Sequence, residues 1–237
     1  MFSLPLLTYI QQGDLTNALA YLGGCFIIIF LVLPFHEYAH GFAASKLGDP
    51  TPRYSGRLSL NPMRHIDWMG AVLVLVAGVG WAKPVPVNLR YFKRPKWDMA
   101  LTALAGPLSN LLLALVALLL QNGLWALLTV FHPTWLVQGV GATVLIFLSR
   151  LLTVVASLNV SLAVFNLLPV PPLDGSRLLT ALLPNHLYYR IMQYEQYIMI
   201  GLFFLIFMGV FDVPLQFMRS AALNGLSFVA DLPFFWL

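Results

Sequence analysis

The stretch Leu31-Val-Leu-Pro-Phe-His-Glu-Tyr-Ala-His-Gly41 ends one of the most apolar runs in the chain with two histidines and a glutamate. On a helix, positions i and i+4 lie about 400° and roughly 6 Å apart, so His36 and His40 share a face. Two imidazoles placed this way can hold one tetrahedral metal ion, normally zinc. Glu37 then stands beside the water such an ion binds without being a ligand, where a general base belongs. A bare HExxH also arises by chance or as a polar patch at a helix end. Ionisable side chains in bilayer-depth sequence are costly unless partnered, which favours the metal.

The 237 residues are 59% hydrophobic and 9% charged, the composition of an integral membrane protein rather than a water-soluble globule. The net charge of +4 reflects local clustering, with no acidic or basic tail and no nucleic-acid motif. Cys25 is the single cysteine and lies in an apolar run, so it reads as a small packing residue. Neither a disulfide framework nor a cysteine zinc site is available. Met1 to Gly13 lacks a basic n-region and a small-residue cleavage site, so no signal peptide is expected. With no internal repeat, one membrane domain is expected over residues 1–237, with a core at 17–211 and an apolar tail at 212–237 that lies in the interface.

The expected fold class is an all-α polytopic membrane protein with four transmembrane helices, a small membrane-associated β element and a re-entrant segment. Asn17 to Phe35, with the HEYAH turn included, is long enough to cross the hydrocarbon and puts the motif near its far end. Residues 41–98 hold nine of the thirteen Lys and Arg: Lys46, Arg53, Arg57, Arg64, Lys83, Arg90, Lys93, Arg94 and Lys96. The positive-inside rule makes this loop cytoplasmic and the N-terminus external, with the motif near the cytoplasmic face of a prokaryotic inner membrane.

Within the loop, Arg53 to Leu60 alternates polar and apolar residues, which predicts a half-buried strand. Its edge would offer Tyr54, Leu58 and Ser59 to an extended substrate peptide. Met69 to Ala82 is apolar, too short to span and flanked by basic residues, which predicts a re-entrant segment. The prolines and Gly80 in GVGWAKPVPVN favour extended backbone there. Met99 to Leu120 is the second span, and Gln121, Asn122, His132 and Pro133 suggest an outer loop. Trp135 to Ser149 is interfacial or part of the next helix, and Arg150 marks the outer boundary. A third span follows from Leu151 to Leu168, and a fourth from Ile191 to Phe211. Three prolines within Pro169-Val-Pro-Pro172 break the chain ahead of Asp174.

Catalytic zinc takes three protein ligands and leaves one position open. Beyond His36 and His40 the candidates are His65, Asp67, His132, Asp174, His186, Glu195 and Asp212. Asp174 alone is both embedded in apolar sequence and attached to a broken helix on the predicted cytoplasmic side. It is expected as the third ligand, the alternative being a cap for the helix that follows. His65 and Asp67 could assist the site from behind its ligands, or be surface residues. Gly106 and Asn110 are small and polar residues that allow close helix contact, and Asn110 fits packing as well as a direct role.

His36-Glu37-x-x-His40, Gly106-Pro107-x-x-Asn110 and Asn166-x-x-Pro169-x-x-x-Leu173-Asp174-Gly175 occur here in the order and spacing of the site-2 protease family of intramembrane zinc metalloproteases. The resemblance runs over residues 30–183, without room for a PDZ insertion, as in a short prokaryotic member. It implies one zinc per chain on His36, His40 and Asp174, and Glu37 as acid/base. It also implies that Asn166 holds the substrate backbone or the developing oxyanion. The implied reaction is cleavage of single-span membrane proteins by zinc-activated water inside the lipid bilayer. A metal transporter and a non-catalytic helix-binding scaffold are the alternatives. The first would need further ligand-bearing helices, and the second a missing ligand or a missing Glu37.

Overall fold

Asp14 opens the first long helix, its carboxylate accepting from the backbone N–H of Asn17 at 3.0 Å and from the Asn17 amide at 2.6 Å. In the computed structural model, which describes residues 5–77, 80–131 and 139–235, a short helix α1 (Pro5–Gln11) precedes this cap. Helix α2 (Leu15–Ile27) continues through one π-turn, Ile28–Val32, into α3 (Leu33–Lys46). Together they form a continuous 32-residue helix. Pro34 has no N–H to donate, and the wider turn lies directly ahead of it, with Leu33 N–H bonded to Ile28 C=O.

Two more helices are long and apolar enough to cross a membrane, α6 (Pro95–Phe131) and α7 (Gly139–Asn166). The chain is an integral membrane protein with these three candidate spans. The core lies where α2, α3, α6 and α7 meet, around Cys25, Ile28, Ile29, Val32, Leu158 and Leu162. Helices α2 and α7 approach closely because Gly24 has no side chain: a Cβ there would lie 2.4 Å from Val154 Cγ1. Arg150 is within α7, which begins at Gly139 rather than near Leu151, and its guanidinium lies 3.4 Å from the Asp14 carboxylate at the start of α2. Of Trp135 to Ser149, residues 139–149 belong to α7, and the rest falls outside the described residues, as do His132 and Pro133. Gln121 and Asn122 are helical residues of α6, not loop.

The strand expected at Arg53 to Leu60 is absent. Asp49 accepts from Thr51 N–H and Pro52 stands in the first turn, so the chain winds into a short helix, α4 (Thr51–Tyr54). Gly56, at φ +67°, then turns it away. Among the described residues the β structure is one isolated antiparallel bridge, Ile66 with Ala82. Between these two residues runs α5 (Trp68–Ala77), so the segment enters and leaves side by side. The chain from Gly80 to Asn88 has no regular secondary structure apart from the bridge at Ala82, and it returns past α3. Its course is fixed where Lys83 N–H bonds to His65 C=O and Asn88 N–H bonds to the Asp49 carboxylate, each at 2.7 Å.

After α7, α8 (Asp174–Leu182) and α9 (Asn185–Gln193) lead to α10 (Glu195–Phe207). Thirteen residues reach only about 20 Å, so the single fourth span expected from Ile191 to Phe211 does not form as one helix. The chain turns at Gly209, φ +76°, into α11 (Asp212–Asp231). That helix lays Leu215, Ala222, Leu223 and Leu226 against Ala114, Val160 and Val164 of α6 and α7.

Candidate metal centre

One turn of α3 carries His36, Glu37 and His40 into the core, where all three are buried. The Nε2 atoms of His36 and His40 stand 3.0 Å apart. Asp174, the first residue of α8, brings Oδ2 to 3.4 Å from His36 Nε2 and 3.3 Å from His40 Nε2. Ligands 2.0–2.2 Å from a tetrahedral zinc would be separated by about 3.3–3.5 Å. Both edges to Asp174 match this range and the His36–His40 edge, at 3.0 Å, is slightly shorter, so the triangle of donors is close to the size that zinc requires. Asp174 Oδ2 is buried without a hydrogen bond, the condition of a carboxylate oxygen that has a cation to bind.

Backbone groups orient this set. His40 Nδ1 lies 2.8 Å from the Thr102 carbonyl, so Nδ1–H donates and the Nε2 lone pair is left for a metal. Helix α6 can pass this close because of Gly106, where a Cβ would lie 2.4 Å from His40 Nε2 and 2.6 Å from His36 Cε1. Gly175 plays the same part for Asp174, since a Cβ there would lie 2.2 Å from the Leu167 carbonyl oxygen. Glu37 Oε2 accepts from Val85 N–H at 3.0 Å, which ties the carboxylate to the Gly80–Asn88 segment.

The cluster opens on a cavity of about 760 Å³. Its wall is mostly apolar, with Leu73, Val87, Met99, Phe165, Met199 and Leu202, and it also takes in Glu37, Asn166 and Arg177. Of the residues expected at the site, His36, Glu37, His40, Asn166 and Asp174 thus come together. The others do not line this cavity. Tyr54 points outward, 83% exposed. Leu58 packs near Gly41, and the Ser59 carbonyl bonds to His65 Nε2 at 2.7 Å. Asp67 caps α5 through the N–H groups of Met69 and Gly70. Asn110 is fully buried one turn beyond Gly106. Glu195 pairs with Arg177 at 3.1 Å. The contributions of Thr102 and Val85 had no signal in the sequence, because both act through the main chain.

A buried two-histidine, one-carboxylate cluster with an acidic neighbour, in a membrane protein, defines a membrane metallohydrolase. The sequence model of peptidase family M50 matches residues 24–208, and the chain belongs to that family, the site-2 proteases. Among its relatives is a Bacillus subtilis (strain 168) protein named "Putative zinc metalloprotease YwhC". It is 39% identical over 192 residues, which cover 80% of this chain and 81% of that one. Another is "Putative zinc metalloprotease Rip2" of Mycobacterium tuberculosis (strain H37Rv), 31% identical over 170 residues. Those residues cover 69% of this chain and 60% of Rip2. No solved structure matches. The chain is accordingly a membrane zinc metalloprotease.

Proposed function

We propose that this protein is an endopeptidase that cuts the transmembrane segments of single-span proteins, as one intramembrane protease domain holding one zinc. His36, His40 and Asp174 are its metal ligands and Glu37 its general base. The observation that carries the reading is the zinc-sized triangle of donors opening on an apolar cavity with Glu37 in its wall. When bound, zinc supplies Lewis acidity toward a water molecule and a peptide carbonyl. Glu37 takes the proton from the water and returns it to the leaving amine. Val85 N–H holds Oε2 of that carboxylate, which leaves Oε1 for proton transfer. Asn166 binds the substrate backbone or its developing oxyanion, and the apolar wall excludes bulk water. The substrate must unwind locally, because a helix hides its carbonyls in its own hydrogen bonds. With no strand at residues 53–60, the Gly80–Asn88 segment is the backbone beside which an unwound peptide would lie.

The nine Lys and Arg of residues 41–98 support an orientation with the site toward the cytoplasmic face of a prokaryotic inner membrane. A transporter would need more ligands: among the described residues, His36, His40 and Asp174 are the one group of His, Cys, Asp or Glu close enough to hold a metal. The test pairs zinc analysis with cleavage of a model single-span substrate. Glu37→Gln should keep near-stoichiometric zinc and lose proteolysis, whereas Asp174→Ala and His40→Ala should lose both. Normal cleavage by Glu37→Gln would sink the mechanism. Normal zinc content in Asp174→Ala would remove the third ligand.

A further inference from the structure

The loop between α4 and α5 holds two arginines that no acid among the described residues neutralises. Arg57 Nη1 donates to the Arg64 carbonyl, and Arg64 Nη1 donates back to the Gly56 carbonyl. This exchange brings both guanidiniums onto one surface concavity of about 480 Å³, whose other walls are Tyr54, Ser55 and Gly56. Gly56 is required here because its φ of +67° is a conformation that other residues rarely adopt. Each guanidinium carries five N–H donors and spends one nitrogen on the loop.

All nine acidic residues lie among the described residues, so their commitments can be followed. Asp14, Asp98 and Glu195 pair with Arg150, Arg94 and Arg177. Asp49, Asp67 and Asp231 accept from N–H groups of the fold. Glu37 and Asp174 face the metal cavity, and Asp212 opens α11. Among the described residues no carboxylate meets Arg57 or Arg64. Two forked cations on one concavity fit the oxygens of a phosphate group, which guanidinium binds bidentately. Around them Tyr54, Leu60, Met63, Trp68 and Met69 are exposed. Basic, aromatic and aliphatic side chains together make the composition of a membrane–water boundary. Inorganic phosphate offers the same oxygens but nothing for these apolar side chains to contact.

We propose that the Gly56–Arg64 loop seats the headgroup phosphate of an anionic phospholipid, with Arg57 and Arg64 as its ligands. The site is separate from the metal cavity and fixes the short α4 turn against the membrane surface. Native mass spectrometry of the full-length protein, titrated with phosphatidylglycerol or phosphatidylcholine, tests this. Phosphatidylglycerol should bind more tightly. Arg57→Gln/Arg64→Gln should weaken that binding at least about fivefold, the share of one basic residue near an anionic surface. Arg57→Lys/Arg64→Lys should recover part of it, and zinc content should stay constant as a check on folding. Arg90→Gln, an exposed arginine outside the loop, should leave it unchanged. Equal affinity of the unmodified protein for the two lipids would overturn the proposal without recourse to any variant. An equal loss in Arg90→Gln would show diffuse surface charge instead of a site. Displacement of bound phosphatidylglycerol by inorganic phosphate at equal concentration would make free phosphate the ligand and refute the lipid assignment.

Discussion

At Gly106 the proposed metal centre depends on the absence of an atom. The nearest imidazole atoms, 2.4 and 2.6 Å from the position of an added Cβ, belong to side chains held by their own contacts. His40 is fixed through Nδ1 to the Thr102 carbonyl, and both rings are buried. Neither ring can swing away cheaply, so a methyl group there would push the donors apart. Gly106→Ala should therefore weaken zinc binding at least about tenfold, as changes next to metal ligands commonly do, while the helices stay folded. Zinc retention against a chelator, read beside circular dichroism, checks both halves. At this scale the sequence was legible where side chains carry the chemistry. His36 and His40 follow from helical spacing, and Asp174 from being a carboxylate in apolar surroundings. It was not legible where main-chain atoms do the work, because the Thr102 carbonyl and the Val85 N–H are present whatever the side chain.

Among the elements, the segment Gly80–Asn88 links the loop to α3. Pro84 and Pro86 favour extended backbone in it, and between them Val85 supplies the N–H that holds Glu37. Val85→Pro removes that donor while also favouring extended backbone. Glu37 would then be freer to turn, so the turnover number should fall by an order of magnitude while zinc stays bound. Unchanged turnover in a zinc-loaded Val85→Pro variant would mean that the contact does not matter to the reaction. The prolines made this non-helical stretch legible in advance. The alternation of Arg53 to Leu60 misled for a physical reason: a strand needs a neighbour, and local capping by Asp49 with Pro52 in the first turn makes a helical turn more stable. The fourth span is not formed as one helix, since Ile191 to Phe211 is broken by the turn into α10 and again at Gly209.

For the whole molecule, the decisive connection is the bridge between Ile66 and Ala82. It holds the two ends of the α5 segment side by side, and the bond of Asn88 N–H to Asp49 ties the later chain to the end of α3. Ser55 and Tyr91 flank the segment on either side, and both are exposed. If the segment enters the bilayer and returns, single cysteines at these two positions lie on the same side of the membrane. If it crosses, they lie on opposite sides. The basic residues around them add a direction, since positive charge is retained in the cytoplasm. In a Cys25→Ser background, both cysteines should resist an impermeant thiol reagent added outside intact cells and both should react after permeabilisation. Reaction of only one in intact cells would mean that the segment crosses, which would separate Val85 from the side on which α3 ends. Reaction of both in intact cells would keep the folded-back segment and reverse the orientation, placing the metal cavity near the outer face instead.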